Sequence, residues 1–106
     1  MISVLTAALD GLSLRQRVIA DNVANVDTPN FRATSVDFES SLRDAVAHGQ
    51  GEFAPQLLAT DTPVGANGNN VDLRKEMLAA TQTQYQYQLM SRAVSDQFEL
   101  VKIAAS

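Results

Sequence analysis

The stretch VIADNVANVDTPNFRAT, residues 18–34, carries a run of periodic apolar residues into an abrupt break. Two asparagines, Asn22 and Asn25, stand three positions apart near the end of the run, so both amides lie on one face of a helix. The pair Thr28-Pro29 follows, and a residue that precedes proline is disfavoured in the helical region. The sequence therefore predicts that a helix stops here with two amides on one face.

The residues that follow the break favour a tight turn and then a short helix. Pro29 suits the first central position of a type II turn, and Asn30, which tolerates positive φ, suits the second. Residues 31–36 are expected to be extended. The segment DFESSLRDAVAHG then predicts a short helix with Asp37 as its N-cap and Gly49 just beyond its end. Its predicted apolar face consists of Phe38, Leu42 and Val46.

Before the break, apolar residues recur at alternating spacings of three and four. These positions are Ile2, Leu5, Leu9, Leu12, Gln16, Ile19, Val23 and Val26, of which only Gln16 is polar. Such heptad spacing predicts a helix over about residues 2–26, ending by Asp27, with one face suited to a partner helix.

A second long helix is predicted over about residues 72–104, capped by Asn70 or Asp72. It carries two apolar stripes. The first stripe is Leu73, Met77, Ala80, Gln84, Tyr87, Val94, Phe98 and Val101, and the second is Leu78, Tyr85, Leu89, Ala93, Leu100 and Ile103. Two stripes exceed what one partner helix covers, so we expect the first to pack on the N-terminal helix and the second to contact another molecule. The residues predicted to make that second contact are Tyr85, Leu89, Leu100 and Ile103.

The predicted fold is mainly α, a single domain over residues 1–106 in which two long terminal helices pack as a helical hairpin or coiled coil. The N-terminal helix occupies 1–27 and the C-terminal helix 71–106. Residues 28–70 provide the turn, the short helix and a flexible loop, because the segment from 49 onward holds four glycines and two prolines without a lasting period.

Composition argues against most binding and catalytic classes. The net charge is −4, from 8 Lys+Arg and 12 Asp+Glu, and the basic residues do not cluster, so nucleic-acid binding is not expected. With one histidine (His48) and no cysteine, no metal or cofactor is expected, and nothing indicates an enzyme. No apolar run reaches the ~20 residues of a membrane span. The first positive side chain is Arg15, so a cleaved signal peptide is not expected either.

The segment RQRVIADNVANVDTPNFRA closely resembles the N-terminal signature of flagellar axial proteins, the rod and hook subunits. In that signature a hydrophobic helix ends in Asn-hydrophobic-Ala-Asn and is followed by a turn of the Thr-Pro-Gly-Tyr type. The matching positions are Asn22, Val23, Ala24, Asn25, Asp27, Thr28, Pro29 and Phe31. The segments VDFESSLRDA and GNNVDLRKEM, the pair Tyr87-Gln88 and the C-terminal amphipathic helix are similar to proximal-rod members of the family. Two features depart from it: Asn30 replaces the usual glycine, and the middle loop is short.

The resemblance implies a structural subunit of the flagellar rod, assembled by helix–helix packing for torque transmission and motility, without cofactors or enzymatic activity. The implied partners are other proximal-rod subunits, the rod–ring adaptor, the membrane-ring protein and the flagellar export apparatus. The implied location is the periplasmic side of the basal body, reached by type III export. The residues implied for the turn and for assembly are Asn22, Asn25, Thr28, Pro29 and Phe31.

Three alternatives remain open at this point. In place of a proximal-rod subunit, the sequence is compatible with another rod or hook subunit, a small secreted type III protein with a helical-hairpin structure, or a wall-cutting hydrolase. The hydrolase would require acidic residues in a cleft.

Overall fold

The computed structural model of this chain describes residues 2–49 and 55–105. The elements in chain order are α1 (Ile2–Ala24), β1 (Thr34–Asp37), α2 (Phe38–Ala47), β2 (Gln56–Ala59) and α3 (Leu73–Ala105). The two long helices run antiparallel, since Asn22 near the end of α1 bonds Glu76 near the start of α3, and Gln16 lies 3.4 Å from the carbonyl oxygen of Ala80. The prediction of a mainly α fold with two packed terminal helices is confirmed.

Helix α1 ends at Ala24, two residues before the predicted end. The side chain of Asn25 explains the early stop, because its Nδ2 donates to the carbonyl oxygen of Asp21 at 2.8 Å. The backbone N–H of Asn25 also donates to that oxygen, and Thr28 N–H then bonds the carbonyl oxygen of Asn25 at 3.0 Å. An amide side chain that bonds the carbonyls of its own helix competes with the regular ladder and favours a tight turn instead.

The turn after α1 has the predicted type II form. Asn30 has a φ of 63°, and Phe31 N–H donates to the carbonyl oxygen of Thr28 at 3.3 Å. Proline at the first central position followed by positive φ at the second defines this turn type. Strand β1 begins within the extended segment predicted next, at Thr34, and continues one residue beyond it to Asp37.

Strand β2 corrects the prediction that residues 49–70 form an irregular loop. It pairs antiparallel with β1, placing Thr34 opposite Ala59 and Asp37 opposite Gln56. All four residues of β2 are exposed, and its sequence, QLLA, does not alternate between apolar and polar residues. That alternation is the signal by which a half-buried strand is recognised in a sequence. The pairing with β1, more than burial, stabilises this strand.

Helix α2 begins with the predicted cap, since Ser40 N–H donates to Asp37 Oδ1 at 3.2 Å. Phe38 and Ala45 are buried, but Val46, predicted to face inward, is 56% exposed. Seven residues make about two helical turns, so Phe38 and Ala45 share one face while Val46 lies about 100° further round. The predicted apolar face was therefore wrong at its last residue.

A small apolar core forms where α2 and β1 cover α1. Its buried residues are Ala8, Leu12, Val36 and Phe38, with Leu14, Val18, Leu42 and Met90 packed against them. Gly11 permits the close approach, since a Cβ there would lie 3.4 Å from the Phe38 side chain and 3.3 Å from that of Pro55. The predicted seam on α1 is buried at Leu12 and Ile19 and half-buried at its other positions from Leu5 onward. The side chain of Ile2 lies outside the described part.

Helix α3 begins at Leu73, and its cap is Asp72, whose Oδ1 accepts Lys75 N–H at 3.2 Å. The stripe predicted to pack on α1 instead faces outward for the most part, with Met77 57% and Phe98 58% exposed. The residues turned inward are mostly smaller or polar, namely Glu76, Ala79, Thr83, Gln86 and Met90. Periodicity of large apolar residues identified the wrong face, because small and polar side chains form most of this helix contact.

Candidate functional site

Three buried asparagine side chains, Asn22, Asn69 and Asn70, form an amide cluster where α1, the turn and the start of α3 meet. Asn22 is fully buried. Its Nδ2 donates to the carbonyl oxygen of Thr34 at 2.7 Å and to Glu76 Oε1 at 3.1 Å, while its Oδ1 accepts Thr34 N–H at 3.2 Å. The Asn22 amide therefore bonds the edge of β1 that faces away from β2, much as a neighbouring strand would.

Asn69 fastens the start of α3 to the end of α1. Its Nδ2 donates to the carbonyl oxygens of Asn25 and Thr28, at 2.8 and 2.7 Å. Its Oδ1 accepts the N–H of Val71 at 2.8 Å. Both carbonyl oxygens already accept a backbone N–H within the turn, so Asn69 is a second donor to each, from a side chain more than forty residues away.

Asn70 connects the two strands of the β-ribbon formed by β1 and β2, at the end where Thr34 lies opposite Ala59. Its Oδ1 accepts Ala33 N–H at 2.6 Å, and its Nδ2 donates to the carbonyl oxygen of Thr60 at 3.1 Å. The backbone N–H of Asn70 also donates to the carbonyl oxygen of Phe31 at 3.2 Å. A network in which every buried amide is bonded fixes one geometry, since any partial arrangement leaves buried polar groups unsatisfied.

The loop before the amide cluster packs directly on the turn. Asn30 N–H donates to the carbonyl oxygen of Asn67 at 2.9 Å. Gly68 has a φ of 79°, and a Cβ at this position would lie 2.2 Å from Asn30 Oδ1. Glycine is required here both for the backbone conformation and for the close contact.

The residues predicted from the opening motif have different surroundings. Asn22 contacts the returning strand, whereas the Asn25 side chain stays within its own turn, accepting Thr28 Oγ1–H at 3.0 Å. Sequence reasoning missed Asn69, Asn70 and Glu76 as buried residues. The signal was present in the run GNN before a helix, which holds more amides than a cap needs.

Glu76 is the charged member of this region. Burial raises the pKa of Glu76, while the hydrogen bond from Asn22 and the charge of Lys75 lower it in part. The nearby carboxylate of Asp72 adds to the upward shift. The Asn22 amide therefore bonds a carboxyl group that is costly to keep ionised in this position.

A second electrostatic contact joins α1 to α2. The two terminal guanidinium nitrogens of Arg15 donate to the Glu39 carboxylate, at 2.7 and 2.5 Å, and Nη2 also donates to the carbonyl oxygen of Val36 at 2.6 Å. The guanidinium lies 4.9 Å from the centre of the Phe38 ring. Partial burial alone would raise the pKa of Glu39, but the hydrogen bond from Arg15, a backbone hydrogen bond and the Arg15 charge together lower it. Arg15 thus holds the start of α2 against α1.

An open groove of about 620 Å³ lies between the β-ribbon and α3. The carboxylates of Glu39 and Glu76 line it, and each is already hydrogen-bonded within the chain. In the described residues, histidine and acidic side chains form no group of three suited to a metal ion. Over the same residues, no helix combines the length and apolar character that crossing a membrane requires.

The outer surface of α3 is apolar to an unusual degree for an isolated chain. Ten of its large apolar side chains are exposed, namely Leu73, Met77, Leu78, Tyr85, Tyr87, Leu89, Phe98, Leu100, Val101 and Ile103. The four residues predicted to contact another molecule are among them, with exposures of 64% (Tyr85), 53% (Leu89), 60% (Leu100) and 67% (Ile103). A soluble chain in isolation rarely exposes this many large apolar side chains on one helix.

The end of α3 extends past the beginning of α1. With 33 residues against 23, α3 is longer by ten residues, or about 15 Å at ~1.5 Å per residue. Because Asn22 lies level with Glu76, equal rise puts Ile2 level with about residue 96. Residues 97–105, here called the overhang, therefore have no α1 residue beside them.

Known proteins resemble this chain over most of its length. A family model described as "Flagella basal body rod protein" matches residues 2–32. The flagellar basal body rod protein FlgB of Borreliella burgdorferi is 33% identical over 90% of this chain and 87% of its own length. FlgB of Bacillus subtilis is 34% identical over 92% of this chain and 87% of its own, and FlgB of Escherichia coli is 30% identical over 87% and 83%.

These alignments include both the N-terminal motif and the C-terminal half of the chain, since each spans close to nine-tenths of it. A resemblance confined to the first helix and turn would fit rod and hook subunits in general. The similarity over the whole length is to one kind of rod protein, and the chain belongs to the FlgB family of flagellar basal body rod proteins.

Proposed function

We propose that this chain, a structural component of the flagellar basal-body rod, is a proximal-rod subunit that assembles through the exposed apolar surface of α3. The observation that carries the proposal is the exposure of ten large apolar side chains on one helix. In water such a surface is unfavourable, and burial against neighbouring subunits removes the cost. The role is structural, with no catalytic step.

The distribution of these side chains favours more than one neighbour. In the overhang, Phe98, Leu100 and Val101 are 58%, 60% and 55% exposed, and at about 100° per residue they point in three different directions. A helix that is apolar on several sides is suited to a surrounded position. Repeated contacts between unlike surfaces of identical subunits do not close on themselves and build helical tubes.

The amide cluster gives the subunit the fixed shape that a repeating assembly needs. It connects the end of α1, the β-ribbon and the start of α3 by hydrogen bonds to Asn22, Asn69 and Asn70. The turn residues Pro29 and Phe31 are held in this frame, and we propose that they set the angle at which α1 meets its neighbours. The wider partners are other proximal-rod subunits, the rod–ring adaptor and the membrane-ring protein. The subunit would reach the periplasmic side through the export apparatus.

The test is a charge at the centre of the second stripe. Burying a whole leucine side chain stabilises by ~1.5–3 kcal/mol, so the half of Leu89 that is exposed accounts for about 1 kcal/mol per contact. A glutamate buried there instead costs several kcal/mol more. Leu89→Glu should therefore leave synthesis and export intact but prevent incorporation into basal bodies, producing non-motile cells.

The matched control is Ser95→Glu, which adds the same charge at an exposed position about 120° away from Leu89 around α3. Isolated basal bodies should contain the Ser95→Glu subunit at the normal level and lack the Leu89→Glu subunit. Normal basal bodies in Leu89→Glu cells would show that the second stripe is not an intersubunit surface.

A further inference from the structure

We infer that Asn67 is a deamidation site that is protected in the folded structure and reactive in the unfolded chain. Asn67-Gly68 is the one Asn-Gly pair in the sequence. Glycine has no side chain to hinder its own backbone nitrogen, so in a flexible chain this nitrogen reaches the preceding asparagine side chain more easily than any other residue type allows.

The reaction needs only water. The Gly68 backbone nitrogen loses its proton and attacks Cγ of Asn67, forming a new C–N bond and a five-membered imide. The Cγ–Nδ2 bond breaks, and Nδ2 leaves as ammonia with the proton. Water then opens the imide at one of its two C–N bonds. Opening at Cγ gives aspartate, and opening at the main-chain carbonyl gives isoaspartate, whose backbone is longer by one carbon atom.

In the folded chain the attacking nitrogen and both oxygens of Asn67 are already hydrogen-bonded. Gly68 N–H, the nucleophile, donates to the carbonyl oxygen of Gly65 at 3.0 Å. The Asn67 side chain accepts Asn69 N–H at 3.2 Å through Oδ1, and its main-chain oxygen accepts Asn30 N–H at 2.9 Å. Attack on Cγ requires the loop to leave this arrangement, so the folded reaction rate is the flexible-chain rate multiplied by the fraction of open loop.

The contact between Gly68 and the turn restricts the loop further. A Cβ on Gly68 would lie 2.2 Å from Asn30 Oδ1 and 3.2 Å from its Cα, so the Gly68 backbone is packed directly against that residue. Neighbouring Asn69 is tied by its side chain to the end of α1. The loop therefore cannot rotate about Gly68 without breaking contacts of the amide cluster.

The product also matters for the fold. An isoaspartate at position 67 lengthens the backbone between Gly65 and Asn69, the segment in which the carbonyl oxygen of Asn67 accepts Asn30 N–H. A chain that deamidates to isoaspartate before it folds should therefore not form the contact with Asn30. Damage acquired in the unfolded state would then exclude a copy from the folded population.

The test compares three samples at one temperature and mildly alkaline pH: the native protein, the protein in urea, and a synthetic peptide of residues 63–70. Peptide mapping by mass spectrometry follows the conversion of Asn67, and isoaspartyl methyltransferase labelling reports the isoaspartate. We expect equal rates in urea and in the peptide, and a rate at least about tenfold lower in the native protein, which corresponds to ~1.4 kcal/mol of opening free energy.

Two variants sharpen the comparison. Asn69→Ala removes the side-chain bonds to the carbonyl oxygens of Asn25 and Thr28 and should raise the native rate toward the peptide rate. Asn67→Gln has a side chain longer by one methylene, so the five-membered imide cannot form, and conversion at this position in urea should be abolished. A native rate equal to the peptide rate, or no conversion in urea over the time in which the peptide converts, would overturn the inference.

Discussion

Asn22 offers the sharpest test of the amide cluster, because it is fully buried and makes three hydrogen bonds. Asn22→Ala leaves Thr34 N–H, the Thr34 carbonyl oxygen and the Glu76 carboxylate without these partners. A buried polar group left unsatisfied costs ~1–3 kcal/mol, and more when it is charged. The bond to Glu76 is buried, whereas the two bonds to Thr34 are only partly buried, so the free energy of unfolding should fall by about 2–4 kcal/mol, against a total of ~5–15 kcal/mol for a typical domain.

The assay is urea denaturation followed by circular dichroism, with Asn25→Ala as the matched control. The Asn25 side chain bonds groups at the exposed end of its own turn, where water replaces the lost partners. Its removal should cost less than about 1 kcal/mol, as is usual for surface substitutions. If Asn22→Ala unfolds within about 1 kcal/mol of the unmodified chain, the hydrogen bonds of Asn22 do not stabilise the fold and the reasoning fails.

A second substitution separates lost packing from lost hydrogen bonding. Asn22→Asp keeps the shape and the acceptor for Thr34 N–H, but it removes both donors and sets a carboxylate 3.1 Å from that of Glu76. At neutral pH it should be at least as destabilising as Asn22→Ala, since like charges repel. Acidification should restore more stability to Asn22→Asp, in which two facing carboxylates lose their repulsion, than to Asn22→Ala, in which Glu76 alone is relieved by taking up a proton. Adding Glu76→Gln to Asn22→Asp should relieve the repulsion at neutral pH.

Three further outcomes are expected. Because folding raises the pKa of Glu76, its contribution to the free energy of unfolding is present at low pH and is lost as pH rises through the folded-state pKa. Glu76→Gln should remove this loss of stability in urea titrations at a series of pH values, and an unchanged pH profile would contradict the argument. Gly68→Ala should destabilise the fold far more than Gly49→Ala, although both positions have positive φ. A Cβ at Gly68 would lie 2.2 Å from Asn30 Oδ1, whereas nothing lies within 4 Å of a Cβ at Gly49. Equal melting temperatures of the two variants would refute the contact. Backbone amides of the overhang in the isolated subunit should exchange with deuterium faster than those near Thr83 and become protected in assembled rods, and early protection would mean that the overhang is stable alone.

Local chemistry is the part of this fold that could be predicted from the sequence. Pro29 has its φ fixed by its ring, and Asn30 tolerates positive φ, so two residues decided the turn. Asp37 capped α2 because its side chain reaches an N–H three residues on. In both cases the partners lie within a few positions, where a single sequence contains the whole interaction.

The missed features depend on partners far along the chain. Glu76 lies on the inward face of α3 because Asn22 donates a hydrogen bond to it from α1. In the sequence, neither the glutamate nor the asparagine by itself indicates a buried side chain. Strand β2 exists because β1 offers an edge, although none of its own residues is buried. The contact with other subunits at Leu89 and its stripe stays a prediction, because one chain shows the surface and not its neighbour.

The bonds that close the amide cluster join residues separated by 37 to 54 positions along the chain. Each half of the cluster is therefore incomplete until the other is present, and an isolated helix of the length of α1 is only marginally stable in water. A chain delivered through a narrow conduit from its N-terminus would emerge with α1 and the turn first, and would find no partner for Asn22 until Glu76 followed. Folding of a chain delivered in this way would wait for the last third of the sequence, so the order of delivery would itself keep the chain unfolded in transit.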